Sequence, residues 1–226
     1  MTIGFSITPI RRRVDRDTIA AFARLPVANV SDCMSRMTAG GAKLRPMHAE
    51  GVLAGPAFTV KTRPGDNLMV HKALLLASPG DVIVVDAGGD LTNAIIGEIM
   101  MNQAIKAGVV GFVIYGAIRD HGTIRRQNWP VFACGVTHRG PYKDGPGEIG
   151  GTIAFDGMVI EPGDLVLGDE DGLLCVPFEA TARVLADTQK KHAAEEKALA
   201  AIAAGEKVDR SWVDKSLERL GCEIKD

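Results

Sequence analysis

Cysteine gives this chain no framework. Its four cysteines, Cys33, Cys134, Cys175 and Cys222, lie far apart and form no C-x-x-C, which excludes a cysteine metal site and fits reduced thiols in a cytoplasmic protein. No apolar run approaches the roughly 20 residues of a membrane span. Arg11-Arg12-Arg13 has no apolar segment behind it, so no secretory signal is visible. A charge excess is missing too. The net charge of −2 gives no reason to expect nucleic acid or an anionic membrane as a partner. His48, His121, His138 and His192 have no metal-ligand spacing, and there is neither a G-x-S-x-G nor a phosphate-binding P-loop. What remains is the composition of a soluble globular protein, 46% hydrophobic and 24% charged, at a length of 226 residues that suits one domain. Glycine is abundant, 26 residues, which points to many tight turns between short strands.

The most informative stretch is Pro79 to Asp120. Asp81–Asp86 is a buried-type strand, Ala87–Asp90 a turn, and Asn93–Lys106 has helical spacing with Gly108 as its stop. Gly111–Tyr115 is a second buried strand, followed by a turn at Gly116. This is a βαβ unit with parallel strands. Arg119-Asp120 then falls beyond the carboxyl end of the second strand, the edge where parallel sheets place ligands.

Elsewhere, residues 1–13 read as an extended arm. Asp15 to Leu25 is a helix capped by Asp15 or Asp17, and Val30 to Met37 a second one capped by Asn29 or Ser31. Met47 to Lys61 is β-like and Asn67 to Ala77 helical. Residues 121–128 form a short helix, and a strand follows Trp129-Pro130. Pro141 to Gly151 reads as loop. Short strands are expected at 151–155, 158–160, 165–168 and 173–177, then a long Ala-rich helix over 178–204 and a charged tail with a helix near 213–220. Gly145-Pro146-Gly147-Glu148-Ile149-Gly150 matches G-x-G-x-x-G by letter. It lacks the strand before and the helix after that a dinucleotide site requires, so it is read as a loop.

Adjacent charges are ordinarily a surface ion pair. At this sheet edge Arg119-Asp120 instead faces Gly97-Glu98 at a helix start. Arg119, the helix amides and the carboxylates of Glu98 and Asp120 make a site for an anionic substrate and a hard divalent cation, Mg²⁺ or Mn²⁺ rather than zinc. Asn67 and His71 share one helix face at i and i+4. Lys143 and Glu195 read as solvated charges.

Gly97-Glu98-Ile99, Gly116-x-x-Arg119-Asp120, Pro130-Val131-Phe132 and Pro162-Gly163-Asp164-Leu165-x-x-Gly168-Asp169-x-Asp171-Gly172 together resemble the 4-hydroxy-4-methyl-2-oxoglutarate / 4-carboxy-4-hydroxy-2-oxoadipate aldolases. These class II pyruvate aldolases share a fold with the RraA-type regulators of ribonuclease E. The resemblance spans about residues 20 to 205. It implies a single-domain α/β fold, a β/β/α sandwich with an N-terminal arm at 1–13 and a C-terminal helical extension over 178–226. It implies homotrimers or homohexamers with active sites at subunit interfaces, and metal-dependent release of pyruvate with secondary oxaloacetate decarboxylation. By position, Asp120 would bind Mg²⁺ or Mn²⁺ directly, and Glu98 and Glu195 through water, Glu195 coming from a neighbouring subunit. Arg119 would bind the pyruvyl oxygen, and Gly97 with the amides of Glu98 and Ile99 the carboxylate. Asn67, His71 and Lys143 would lie near the substrate, and Asp32 near the reacting water. The alternative is a non-catalytic regulator of ribonuclease E.

Overall fold

A computed structural model describes residues 3–223 and 225. The arm contains a short strand, β1 (Phe5–Ile7). Helix α1 (Arg16–Phe22) begins where the Asp15 carboxylate accepts the N–H of Thr18 at 2.9 Å, one of the two caps expected. Helix α2 spans Val27–Cys33, upstream of the expected Val30–Met37. Its N-cap is Pro26 rather than Asn29 or Ser31, and the N–H of Val27 donates instead to Oδ2 of Asp169 at 2.9 Å.

Next come β2 (Arg45–Pro46), the ten-residue β3 (Leu53–Thr62), α3 (Leu68–Leu74), β4 (Val82–Asp86) and β5 (Ala94–Ile96). They are followed by α4 (Glu98–Lys106), β6 (Gly111–Ile118), α5 (His121–Gln127) and β7 (Val131–Val136). The later strands are β8 (Gly147–Ile149), β9 (Ile153–Phe155), β10 (Met158–Ile160), β11 (Leu165–Gly168) and β12 (Leu173–Val176). A 3₁₀ turn at Phe178–Ala180 leads into α6 (Thr181–Ala203), and α7 (Ser211–Arg219) follows.

The main sheet runs β1-β8-β3-β4-β6-β7-β2; β4 and β6 are parallel as expected, and β3 and β7 extend the parallel centre on either side. Strand β3 serves two neighbourhoods. Its first half pairs with β11, antiparallel, and its second half with β4 and β8. Side chains alternate across the sheet with the period of two that a strand imposes. Ile83, Val85, Phe112 and Ile114 face one way, into a core closed by Met69, Val70 and Ala73 of α3 and by Met100, Met101 and Ala104 of α4. Val82, Val84, Val113 and Phe132 face the other way, against Ile153, Phe155, Met158 and Ile160 of the β9–β10 hairpin. Helices, sheet and hairpin thus form the expected layers of a mixed α/β fold. A third apolar cluster seats α1 and α2 on β11 and β12.

Three expectations fail in this region. The run expected as one helix, Asn93–Lys106, divides: Ala94–Ile96 is β5, and the helix starts at Glu98. Ala-Ile-Ile is fully buried and pairs in parallel with Ala117 and Ile118, so a tertiary partner overrides local spacing. For the same reason Gly116 is not a turn, because β6 continues to Ile118. The expected loop over Pro141–Gly151 contains β8, which is held by β1 on one side and β3 on the other.

By compactness the chain divides into residues 1–188 and 189–226. In the second unit the outer part of α6 carries i, i+4 pairs, Lys191 with Glu195 at 2.6 Å and His192 with Glu196 at 3.6 Å, and α7 exposes Trp212 and Leu217. Among the described residues no helix is long and apolar enough to cross a membrane.

Candidate active site

Strand β5 brings the start of α4 against the end of β6. The N–H of Arg119 donates to the carbonyl of Ile96 at 3.0 Å, so Gly97 and Arg119 stand side by side where the two strands stop. A side chain at Gly97 would overlap Oδ2 of Asp120 and come within 2.9 Å of Cγ of Arg119. Glycine is what allows the approach. Asp120 adopts the left-handed conformation, φ 57°, which aspartate tolerates better than most residues. It occupies the N-cap position of α5 without capping that helix. Its carboxylate turns to α4, where Oδ2 accepts the N–H of Glu98 at 2.9 Å, and Nε of Arg119 lies 3.8 Å from the same oxygen. Among the described residues Oδ1 of Asp120 has no hydrogen-bond partner.

This geometry corrects one expectation. The N–H of Glu98 is engaged by Asp120, so it does not join the anion-binding amides. The N–H groups of Ile99 and Met100 come next, and a helix start gives them no intrahelical acceptor. They and the positive end of the α4 dipole are available to a carboxylate.

A cleft of about 260 Å³ opens at this junction. Gly97, Ile99, Met100 and Arg119 line one side; Asn67 and His71 of α3 and Gly140, Pro141 and Lys143 of the loop after β7 line the rest. Asn67 opens α3, and its Nδ2 donates to the carbonyl of Ile95 at 2.9 Å. That bond fixes the amide and leaves its buried Oδ1 without a partner among the described residues. The N–H of His71 donates to the carbonyl of Asn67, which holds the two on one face of the helix. Burial, and then the nearby Lys143 ammonium, lowers the His71 pKa, so the imidazole is neutral at pH 7. The loop is anchored where the N–H of Ala94 donates to the carbonyl of Arg139 at 2.8 Å and the Asn93 amide to that of Gly140.

The cleft lining therefore gathers Asn67, His71, Gly97, Ile99, Arg119 and Lys143, with Asp120 and Glu98 beside it. Asp32 stands on α2, paired with Arg36 at 2.6 Å, and does not line the cleft. Glu195 belongs to the second unit, on α6. Sequence reasoning missed Gly140, Pro141 and Met100. Only the Gly-Pro step hinted at a turn, and the contact of that turn with α3 is long-range.

The donors suit a hard cation only in part. Asp120 offers an oxygen, and Glu98, far from it in sequence, is tied to it through its backbone N–H. Among the described residues no group of three or more His, Cys, Asp or Glu side chains could enclose an ion. A single direct carboxylate with the remaining positions filled by water and substrate fits Mg²⁺ or Mn²⁺, which keep much of their hydration, and does not fit structural zinc.

A family model described as RraA-like, Aldolase/RraA, matches residues 27–175. A protein of Halalkalibacterium halodurans, named provisionally as a 4-hydroxy-4-methyl-2-oxoglutarate aldolase, is 38% identical over 201 residues, covering 89% of this chain and 96% of that one. The solved structure of an uncharacterised Pseudomonas syringae pv. tomato protein is 24% identical, with a TM-score of 0.78 over 87% of this chain and 97% of that one. Streptomyces coelicolor RraAS2, described as an unusual member of the RNase ES inhibitor RraA protein family, is 23% identical, with a TM-score of 0.76 over 83% and 98%. Both structures share the fold. With its model matched across the sheet and a relative this similar along nearly its whole length, the chain belongs to the RraA-like, Aldolase/RraA, family.

Proposed function

We propose that this protein is a carbon–carbon lyase that cleaves 4-hydroxy-4-methyl-2-oxoglutarate or 4-carboxy-4-hydroxy-2-oxoadipate by a retro-aldol reaction. The observation that carries the reading is the meeting of the Arg119 guanidinium, the α4 N-terminus and Asp120 at one cleft. The name of the Halalkalibacterium relative supports it. The substrate's C1 carboxylate lies on the amides of Ile99 and Met100, and its C2 oxygen faces Arg119. The C4 hydroxyl gives up its proton to a water, which returns a proton at C3 later; the C3–C4 bond breaks, and C4 becomes the carbonyl of pyruvate or oxaloacetate. The bonding electrons pass into a pyruvate enolate, and protonation at C3 completes the second product. Arg119 opposes the negative charge that grows on the C2 oxygen, the step at which preorganised positive charge lowers the barrier most. Neutral His71 and charged Lys143 attend the distal end of the substrate.

Asp120 would hold Mg²⁺ or Mn²⁺ directly and Glu98 through water; when bound, the ion adds Lewis-acid stabilisation to the same oxygen. Oxaloacetate decarboxylation passes through the same enolate and is the expected companion activity. This reading takes a further acid, Glu195, from a neighbouring copy in a homotrimer or homohexamer, and gives Asp32 a place near the reacting water. The second reading is a non-catalytic regulator of ribonuclease E, and no residue of the cleft described above favours it over the lyase.

The test is a pyruvate-coupled assay with both substrates and oxaloacetate, with and without Mg²⁺. Pyruvate release that stops in excess EDTA and in Asp120→Ala is expected. Absence of turnover with all three substrates, or full activity in Asp120→Ala, overturns the reading.

A further inference from the structure

A carboxylate with no part in this chemistry lies behind the cleft. Asp66 is fully buried, at 0% exposure. Its Oδ2 accepts the N–H groups of Asp144 at 2.7 Å and Gly145 at 2.9 Å, together with the Arg63 guanidinium at 3.2 Å. Its Oδ1 accepts the N–H of Leu68 at 2.9 Å. These donors come from two segments far apart in sequence. One opens α3, which presents Asn67 and His71 to the cleft; the other is the loop that presents Lys143. The flanking backbone repeats the connection. The N–H of Asn67 donates to the carbonyl of Tyr142 at 3.0 Å, and the N–H of Tyr142 to that of Gly65 at 2.8 Å. Lys143 thus has a tethered residue on each side, Tyr142 and Asp144.

We propose that Asp66 is a positioning residue: by holding the amides of Asp144 and Gly145 against the start of α3, it fixes where Lys143 stands relative to Asn67 and His71. It thereby sets the reach of the cleft from Arg119 to the distal carboxylate of the substrate. A carboxylate is the side chain the position requires, because every group directed at it is a donor. An amide there would turn its own N–H groups toward one set of donors. The fixed reach matters because a small misplacement of a binding group is costly when two ends of one substrate must be held at once. The Lys143 charge already registers at His71, where it adds to burial in keeping the imidazole neutral. The identity of the distal group rests on the aldolase reading; the clamp itself does not.

The test compares full-length wild type with Asp66→Asn, Asp66→Glu and Lys143→Met. Two activities are measured: cleavage of 4-hydroxy-4-methyl-2-oxoglutarate, and exchange of pyruvate methyl protons in D₂O followed by NMR. Pyruvate has no distal carboxylate. Asp66→Asn is expected to raise KM for cleavage about tenfold while the KM for pyruvate exchange stays within twofold. Asp66→Glu, which keeps the acceptor head but lengthens the side chain, is expected to move the same constants in the same direction. In the Lys143→Met background Asp66→Asn should add little, since both act through one contact. Amide hydrogen exchange reads the clamp without turnover: Asp144 and Gly145 should lose at least tenfold protection in Asp66→Asn, with β4 and β6 unchanged. Equal losses for both activities, additive effects in the double variant, or unchanged protection of those amides overturns the proposal. If wild type neither cleaves nor exchanges, the aldolase reading falls, and the amide measurement alone decides the clamp. If Asp66→Asn does not fold, Asp66→Glu decides it.

Discussion

Gly97 and Asp120 leave no room between them for a single methyl group. That contact locks the start of one helix to the start of another and puts a carboxylate, a guanidinium and two helix amides at one point.

Gly97→Ala is therefore expected to cut kcat/KM by at least about 100-fold, because the added Cβ must displace the Asp120 carboxylate or the Arg119 side chain. The cost in stability should be about 1–3 kcal/mol, typical of forced overpacking. Steady-state kinetics and chemical denaturation of the same preparation separate the two effects. Wild-type kinetics in a destabilised protein would show that the close approach serves only the fold.

Arg119→Lys keeps the charge and removes the planar fork. A fall of about 10²–10³ in kcat is expected, the scale on which removing one oxyanion donor acts. Measured single-turnover rates within a few-fold of wild type would mean that point charge alone suffices at the C2 oxygen.

His71 gives a pH dependence with a definite sign. Its folded-state pKa is below the ordinary value of about 6.5 because of burial, with Lys143 adding to the effect. As pH falls below about 6.5 the unfolded chain takes up a proton that the folded chain does not. The contribution of His71 to stability is thus complete above that value and declines as pH falls towards the folded-state pKa. Lys143→Met should raise the His71 pKa while leaving it below the ordinary value, because burial is the larger cause and remains. NMR titration of the imidazole checks this; a downward movement would contradict it.

The N-terminal arm offers a control remote from the cleft. Arg13 meets Asp81 through two bonds, Nε to Oδ1 at 2.7 Å and Nη2 to Oδ2 at 3.0 Å, and Oδ2 also accepts the N–H of Ser78. Asp81→Ala should lower stability by about 3 kcal/mol, since it orphans a half-buried guanidinium and a backbone donor. KM should not change when it is measured well below the unfolding temperature.

The parallel frame was legible in the sequence because β4 and β6 are uninterrupted apolar runs, and buried parallel strands have that signature. The positions of Arg119 and Asp120 followed from strand-end logic alone. Strand β5 was not legible: three residues cannot outweigh a helical pattern that continues on their C-terminal side, and only the far end of β6 makes them a strand. Strand β8 was hidden in the same way, since Gly-Glu-Ile has little preference of its own and acquires one between β1 and β3. In sequence Asp66 simply closes Pro64-Gly65-Asp66, a Pro-Gly step of the kind that makes a turn. Nothing nearby in sequence announces the two amides it binds, which come from the far side of β7.

The division of β3 between two sets of partners also bears on how the chain is made. Leu53 and Ala54 pair with Gly168 and Leu167, whereas Ala57 to Lys61 pair with β4, which follows within a short stretch of chain. During synthesis the second half of β3 can be satisfied early, but the first half waits until β11 has left the ribosome. Until then it is an apolar strand edge open to any other chain, the condition that leads to mispairing. A chain released before Gly168 would keep that edge permanently and should be recovered as aggregate.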